Sequence, residues 1–232
     1  MSADLNQTFV QVLREYDTAA DLFNKCQRWN EMTEDELWQA LCLCILSSNV
    51  PYESAQSALS HLVDKGYLQL RWIVETPNSE NLIAKELSRP LYLPIKRDGS
   101  YRKYRFPNVR SRNIVQAART VFSEKPWLSK LLARHNSEGV VREILVAKIP
   151  GIGLKEASHF LRDIGYSSNL AIIDSHVVSF LEDISAISPE EVKMISRNIY
   201  LELEGILQKL CKERNISLSV FDMAVWRYMR KR

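Results

Sequence analysis

Apolar residues recur along most of this chain at the three- and four-residue spacing of a single helix face, and strict alternation of apolar and polar residues is scarce. The pattern predicts a mainly α fold. Two helix starts carry capping signals, Thr33 followed by Glu36 and Ser188-Pro189 followed by Glu191. Helices are expected over residues 4–16, 18–26, 33–47, 52–65, 79–87, 110–122, 126–134, 138–148, 154–164, 175–182, 189–212 and 218–230.

The helical spacing is interrupted between Pro90 and Pro107, where prolines and aromatic residues are frequent. The Asp98-Gly99 pair in this stretch favours a tight turn between two short extended runs. The sequence therefore predicts an exposed loop or a small β-hairpin near residues 92–106.

The length of 232 residues is enough for one large or two small domains, and 46% hydrophobic and 25% charged residues are ordinary for a globular protein. We expect two closely packed helical lobes. One would be built from both ends of the chain, residues 1–30 and 175–232, and the other from residues 31–174.

Positive charge is concentrated in one stretch of the chain. The formal net charge is only +3, too small for a protein that coats nucleic acid indiscriminately, so the clustering matters more than the total. Between residues 96 and 119 the single acid is Asp98. The basic residues of this stretch are Lys96, Arg97, Arg102, Lys103, Arg105, Arg110, Arg112 and Arg119.

Targeting signals and cysteine pairs are both lacking in the sequence. The first residues, MSADLNQTFV, have no basic region followed by an apolar run, and no run of about 18 apolar residues occurs without charge. We expect a cytoplasmic, nucleoid-associated protein with no membrane partner. No two of Cys26, Cys42, Cys44 and Cys211 have C-x-x-C spacing, which predicts structural thiols in a reducing compartment.

The segment 141–176 reads VREILVAKIPGIGLKEASHFLRDIGYSSNLAIIDSH and predicts a helix-hairpin-helix over about 141–165, between the two lobes. Gly151 and Gly153 are expected to adopt conformations closed to other residues, so that N–H groups converge beside a helix N-terminus. Such a site suits a DNA phosphate. For the glycine pattern alone, a tight turn between two core helices is the alternative.

Two residues of this segment are candidates for chemistry. Lys155 falls in the first turn of the second helix, where the helix dipole disfavours a cation, so it would either bind phosphate or be poised for reaction. The positive helix end and partial burial favour the neutral amine, which is the nucleophilic form. Asp174 follows the apolar run LAII; alone it fits a helix N-cap, and paired with Lys155 it suggests a catalytic carboxylate.

These residues resemble a known signature. Pro150-Gly151-Ile152-Gly153, then Lys155, then Asp174 after an apolar run is similar to the helix-hairpin-helix, Gly/Pro-rich and Asp motif of DNA glycosylases. The stretches KEASHFLRDIGY and AIIDSH look most like the archaeal and bacterial branch of 8-oxoguanine DNA glycosylase/AP lyases. The similarity is dense over about 141–180 and diffuse elsewhere.

The resemblance implies a mechanism. The damaged nucleotide is flipped out of the duplex, Lys155 attacks C1′ and displaces the base, and Asp174 stabilises the cationic sugar. The resulting Schiff base leads to β-elimination and strand cleavage. The implied partner is double-stranded DNA containing a damaged base, bound by a monomer.

The resemblance also suggests DNA contacts. Asn49 ends a polar turn, Ser47-Ser48-Asn49, that would fill the hole left by the flipped base; an ordinary helix C-terminus is the alternative. Phe106 matches an aromatic wedge, and Arg105 and Arg110 would bind phosphates.

The lesion pocket is expected to involve the C-terminal helix and the helix of Lys155. Trp226 would stack on the extruded base, and His159 and Phe160 would line the pocket, with core roles as the alternatives. The chain ends in Arg232 where branch members commonly end in lysine, which leaves open how the oxidised base is read.

No cofactor and no catalytic metal are expected. Some relatives bind an iron–sulfur cluster through four C-terminal cysteines, and only Cys211 lies in that region. Two other functions stay open, a glycosylase for another damaged base and a non-catalytic DNA-binding protein in which Lys155 only adds charge.

Overall fold

Twelve α-helices and one short 3-10 helix are present in the computed structural model, which describes residues 7–25, 28–124, 126–188, 192 and 194–232. No strand occurs within these ranges, so the predicted mainly α fold is confirmed. The 3-10 helix covers Trp29–Glu31. The α-helices are α1 Gln7–Asn24, α2 Glu34–Ser47, α3 Tyr52–Asp64, α4 Leu70–Glu75, α5 Ser79–Leu87, α6 Pro107–Ser123, α7 Trp127–Arg134, α8 Glu138–Lys148, α9 Leu154–Asp163, α10 Ser175–Asp183, α11 Arg197–Lys212 and α12 Leu218–Met229.

Helix starts are fixed by local side-chain chemistry. The predicted capping box is confirmed, because the Thr33 N–H donates to Glu36 Oε2 over 2.7 Å and the Glu36 N–H donates to Thr33 Oγ1 over 3.2 Å. Helix α6 begins at Pro107, three residues before the predicted start, since proline fits the first helical turn. Cys26 and the helix start expected at 189–191 lie outside the described residues.

Four elements differ from the sequence prediction. Helix α1 is continuous where two helices were expected, because Phe9, Val12, Ala19 and Phe23 form one buried stripe along it. Helix α4 was not predicted; its six residues are too few to show a clear helical period. Helix α11 begins at Arg197, eight residues after the predicted start at 189, because Ser196 is its N-cap. The fourth difference is the hairpin.

The predicted β-hairpin is reduced to one antiparallel residue pair. Tyr92 and Arg102 exchange two backbone hydrogen bonds of 2.9 Å each, and Asp98 Oδ1 accepts the Ser100 N–H in the turn. The flanking apolar side chains are exposed, so no buried face extends the pairing. These exposed residues are Leu91, Leu93, Ile95 and Tyr101.

The described chain divides into two compact units. One is formed by the two ends of the chain, up to Arg28 and from Leu161 onward. In it α1 packs on α12, and the rings of Phe9, Phe180 and Phe221 form a cluster with centroids 5.5–6.2 Å apart.

The other unit spans Trp29–Phe160. Its core forms where α2 packs on α3, α6 and α7, and where α6 packs on α4 and α5. Polar side chains also stabilise the packing. Buried Trp38 Nε1 donates to Leu68 O over 2.7 Å, and the half-buried Glu34 carboxylate caps α7 by accepting the N–H groups of Leu128 and Ser129.

Cys42, Cys44 and Cys211 are buried free thiols, and burial raises the pKa of Cys211 to about 12. Within the described ranges no group of three or more His, Cys, Asp or Glu side chains has the arrangement of a metal site. None of the described helices has both the length and the apolar character that crossing a bilayer requires.

Candidate active site and nucleic-acid interface

The predicted helix-hairpin-helix is formed by α8, residues 149–153 and α9. The Ile149 N–H closes α8 on Leu145 O over 2.9 Å, and the Ile152 N–H returns to Ile149 O over 3.3 Å, which makes the turn. Helix α9 then starts with the Ala157 N–H bonded to Gly153 O over 2.9 Å. The loop therefore delivers the chain directly into the first turn of α9.

The two glycines of this turn serve different purposes. Gly151 has φ +82°, and a Cβ on it would lie 2.1 Å from Asn113 Nδ2 of α6, so both backbone and packing require glycine. Gly153 has no positive φ, and the prediction of an unusual backbone there is wrong. Gly153 instead precedes α9 as its cap, with its N–H donated to Glu156 Oε2 over 3.2 Å.

Lys155 is the second residue of α9 and is half-buried. The first helical turn presents backbone N–H groups and the positive end of the helix dipole. The structure thus puts the candidate nucleophile where the sequence predicts, in the unit spanning Trp29–Phe160.

Asp174 is the N-cap of α10, in the unit formed by the chain ends. Its Oδ1 accepts the N–H groups of His176 over 2.9 Å and Val177 over 3.0 Å. Neither bond uses Oδ2. The capping role considered for Asp174 is thus present, and it fixes the carboxylate through one oxygen.

The end of α2 is hydrogen-bonded to side chains of residues 104–110, which lie at the start of α6 and just before it. Asn49 is exposed with φ +57°, and Arg105 Nη1 lies 3.5 Å from its carbonyl oxygen. Arg110 Nη2 donates to Ser48 O over 2.7 Å, and the buried Tyr104 hydroxyl donates to Leu46 O. Because helix C-termini leave carbonyls unpaired, these three side chains fix the turn.

Phe106 lies beside the same turn, between the two arginines. The guanidinium carbons of Arg105 and Arg110 are 5.0 and 5.8 Å from its ring centroid. The structure therefore brings together four residues that the sequence predicts for DNA binding, Asn49, Arg105, Phe106 and Arg110. Arg105 is exposed, whereas Arg110 is buried and holds the turn. We call this group the α2-turn cluster.

The residues predicted for the base pocket have varied surroundings. His159 is half-buried, with its ring 6.1 Å from that of Tyr52, and Phe160 has no exposed surface, which favours a core role. Trp226 is half-buried beneath the Arg230 guanidinium, 4.9 Å from its ring centroid. Arg232 is exposed and pairs with the Asp183 carboxylate. Their pocket roles stay predictions.

A buried ion pair near Asp174 escaped the sequence analysis. Arg162 of α9 donates to Asp222 Oδ2 of α12 over 2.9 Å, and also contacts Asp163 at 3.0 Å. Burial, opposed by the charge of Arg162 and reinforced by the charge of Asp174, raises the pKa of Asp222 to about 7. The sequence signal that could have revealed this pair is Asp222 itself, a single carboxylate within the mostly apolar segment LSVFDMAVW.

The comparisons with known proteins agree with this geometry. The 8-oxoguanine DNA glycosylase family profile matches residues 79–216. A Saccharolobus solfataricus "8-oxoguanine DNA glycosylase/AP lyase" is 34% identical over 202 residues, covering 86% of this chain and 85% of that protein.

Two solved structures are similar over almost the whole chain. The Methanocaldococcus jannaschii 8-oxoguanine glycosylase/lyase in complex with 15mer DNA containing 8-oxoguanine has TM-score 0.75 and 26% identity, covering 96% of this chain and 97% of that one. The Thermotoga maritima 8-oxoguanine DNA glycosylase has TM-score 0.72 and 27% identity, covering 96% of each.

Fold and hairpin together are those of a helix-hairpin-helix DNA glycosylase. Since the family profile matches more than half of the chain and the Saccharolobus relative is 34% identical over most of it, the chain belongs to the 8-oxoguanine DNA glycosylase family.

Proposed function

We propose that this protein excises 8-oxoguanine from DNA and then cuts the strand, with Lys155 as nucleophile and Asp174 as its carboxylate partner. Family membership supports the activity, and the relative bound to 8-oxoguanine DNA supports the substrate. The observation that carries the residue assignment is Lys155 in the first turn of α9, directly after the hairpin turn.

The reaction begins with a nucleotide that is flipped out of the stack. The neutral Lys155 amine attacks C1′ as the glycosidic bond breaks. The electron pair of the glycosidic bond leaves with the base, which takes up a proton. Loss of the amine proton and opening of the sugar ring give a Schiff base between Nζ and C1′. Removal of a C2′ proton then expels the 3′ phosphate by β-elimination.

Asp174 acts on the sugar while positive charge develops at C1′. Its carboxylate is oriented by the two N–H groups that Oδ1 accepts, so little reorganisation is needed during bond cleavage. The role requires folding and DNA binding to bring Asp174 Oδ2 and Lys155 Nζ to the same sugar. Asp174→Asn keeps the cap and removes this charge.

DNA contacts come from the hairpin and the α2-turn cluster. The N–H groups in the first turn of α9 and the dipole of that helix favour a phosphate, which fixes the register of the strand. Exposed Arg105 binds a second phosphate. Asn49 and Phe106, held at the same turn, enter the space that the flipped base leaves.

Borohydride trapping on a duplex with one 8-oxoguanine tests the proposal. Wild-type protein is expected to form a covalent protein–DNA adduct, and Lys155→Gln is expected to form none while still binding the duplex. The matched control is Lys130→Gln on α7, an exposed lysine in the same unit, which should trap like wild type.

A panel of duplexes with other modified bases completes the experiment. Preferential cleavage of another lesion would replace 8-oxoguanine as the substrate and leave Lys155 in its role. Tight DNA binding without any adduct on any duplex would instead identify a DNA-binding protein without lyase chemistry. An adduct that persists in Lys155→Gln would assign the nucleophile to another amine.

A further inference from the structure

The four residues that precede Asp174, residues 170–173, form a buried segment without regular secondary structure. They lie outside any helix or strand, with exposures of 5% or less at Leu170, Ala171 and Ile173 and 7% at Ile172. Within the described ranges the segment belongs to no strand. Buried backbone groups without sheet partners must be satisfied in another way.

Side chains of α11 and α12 supply the partners for the N–H groups. The Ala171 N–H donates to Glu204 Oε1 over 3.0 Å, and the Ile173 N–H lies 3.4 Å from the Tyr200 hydroxyl oxygen. The Ile172 N–H between them bonds to the Asp222 carboxylate. Three successive amides are therefore held from two helices.

The carbonyl groups of the segment are held by the same helices. The Tyr200 hydroxyl donates to Ala171 O over 2.7 Å, so it bonds this backbone in both directions. Ser219 Oγ lies 3.3 Å from Leu170 O. The anchoring residues are themselves buried, Tyr200 and Glu204 at 4% exposed and Asp222 at 2%.

Asp222 is in turn fixed by Arg162, whose guanidinium spans the carboxylates of Asp222 and Asp163. A mostly buried guanidinium that is hydrogen-bonded to two carboxylates leaves both partners little freedom. The segment before Asp174 is thus connected through hydrogen bonds to α11, α12 and Arg162 near the end of α9, and these contacts lie within the unit formed by the chain ends.

We propose that Tyr200, Glu204 and Asp222 are positioning residues that hold the 170–173 segment and thereby aim the Asp174 carboxylate at the reacting sugar. This inference rests on the proposed function. Asp174 is restrained by the N–H groups of His176 and Val177, which follow it, and by the anchored segment 170–173, which precedes it. If the anchoring of segment 170–173 is lost, the carboxylate can move away from the sugar while Asp174 still caps α10.

The reaction is sensitive to such drift because stabilisation of a developing charge depends on its distance from the carboxylate. A misplacement of about 1 Å can cost on the order of 100-fold in rate. DNA affinity, which the hairpin and the α2-turn cluster supply, should not change. The expected signature is a loss in single-turnover rate without a loss in binding.

Tyr200→Phe is the main test, since it keeps the ring and removes the hydroxyl. We expect single-turnover excision of 8-oxoguanine to fall by about 10- to 100-fold, DNA affinity to stay within about twofold, and amide exchange of Ile173 to accelerate. The matched control is Tyr16→Phe in the same unit, which removes a hydroxyl that accepts the Ser217 N–H, and it should keep the wild-type rate.

A second pair of variants distinguishes the hydrogen bond that Glu204 accepts from the negative charge that Glu204 carries. Glu204→Gln retains an acceptor for the Ala171 N–H and should stay near the wild-type rate, whereas Glu204→Met removes the acceptor and should behave like Tyr200→Phe. A fall of equal size in both variants would assign the effect to the charge of Glu204 and overturn its positioning role.

A double-mutant cycle with Asp174→Asn decides whether the effect passes through Asp174. If Tyr200 acts by positioning that carboxylate, Tyr200→Phe should cost nothing further once the carboxylate is gone. The same fold-loss in both backgrounds, or a wild-type rate for Tyr200→Phe, would overturn the inference. Failure of the proposed function gives a different result, a wild-type protein that neither excises nor traps on 8-oxoguanine DNA.

Discussion

At the scale of single residues, the two glycines of the hairpin are present for different reasons, Gly151 for its left-handed backbone and close packing and Gly153 as the residue that caps α9. A side chain at 151 would meet both an unfavourable backbone conformation and the Asn113 amide, whereas a Cβ at 153 would lie 3.2 Å from the movable end of Glu156. Only the first position has no alternative to glycine. The hairpin turn therefore depends mainly on Gly151.

Gly151→Ala is expected to lower the free energy of unfolding by about 1–3 kcal/mol because of the left-handed φ and the contact with Asn113. Gly153→Ala should cost less, since only an N-cap preference is lost. Urea titration of both variants measures this, and DNA affinity should follow the same order. Equal losses of unfolding free energy in the two variants would contradict the special requirement for glycine at position 151.

The sequence identifies single residues only where the signal is local. Lys155 and Asp174 could be selected as candidates because Lys155 follows a glycine turn and Asp174 follows an apolar run. Tyr200 and Glu204 could not, because they are 27 and 33 residues from the amides they accept and lie on an ordinary amphipathic helix. Their role depends on tertiary contacts that no spacing reveals.

At the scale of elements, the end of α2 is a helix terminus whose carbonyl groups are hydrogen-bonded by side chains from elsewhere in the same unit. Its last carbonyls are paired with Tyr104 and Arg110 rather than with water, and Arg105 completes the group from the exposed side. Positive side chains are also favoured at this end of a helix dipole. The turn that carries Asn49 is therefore held by hydrogen bonds from side chains of the same unit.

Arg105→Ala and Arg110→Ala should separate DNA contact from support. Loss of exposed Arg105 should weaken DNA binding and reduce the slope of log K against log salt by about 1, with little change in stability. Loss of buried Arg110 leaves the Ser48 carbonyl unpaired and should destabilise the protein by about 1–3 kcal/mol. Salt-dependent binding and urea unfolding measure the two effects; identical behaviour of both variants would contradict the division.

Most helices could be predicted from hydrophobic spacing, since long amphipathic segments carry a strong periodic signal. The prediction failed where that signal is short or misleading. Helix α4 has too few residues to repeat its pattern, and polar residues in the middle of α1 suggested a break that its buried stripe overrides. The hairpin had turn residues but no apolar face to extend its pairing.

At the scale of the whole molecule, the Arg162–Asp222 pair links stability to pH. Burial raises the pKa of Asp222 to about 7, and the groups that act on it are Arg162, Asp174 and the Ile172 N–H, with Cys211 coupled to its charge. The folded protein thus holds this proton more tightly than the unfolded chain. That stabilisation is complete below the ordinary value of 3.8 and is lost as the pH rises through about 7.

The stability of wild type relative to Asp222→Asn is therefore expected to decrease between about pH 5 and pH 8, by about 1 kcal/mol or more. The variant carries no titrating group at this position, so the difference isolates Asp222 from other carboxylates. Urea titrations at several pH values give both curves. A difference that stays constant, or grows with pH, would show that the pKa is not raised.

The pairing of α1 with α12 has a consequence for how the protein is made. Helix α1 leaves the ribosome well before α12, the helix against which its apolar stripe packs. At about 5–20 residues per second, the α1 side chains wait on the order of ten seconds or more for that partner. The Trp29–Phe160 unit lies between the two helices in the sequence and can form in that interval, so it would fold before α1 and α12 pair.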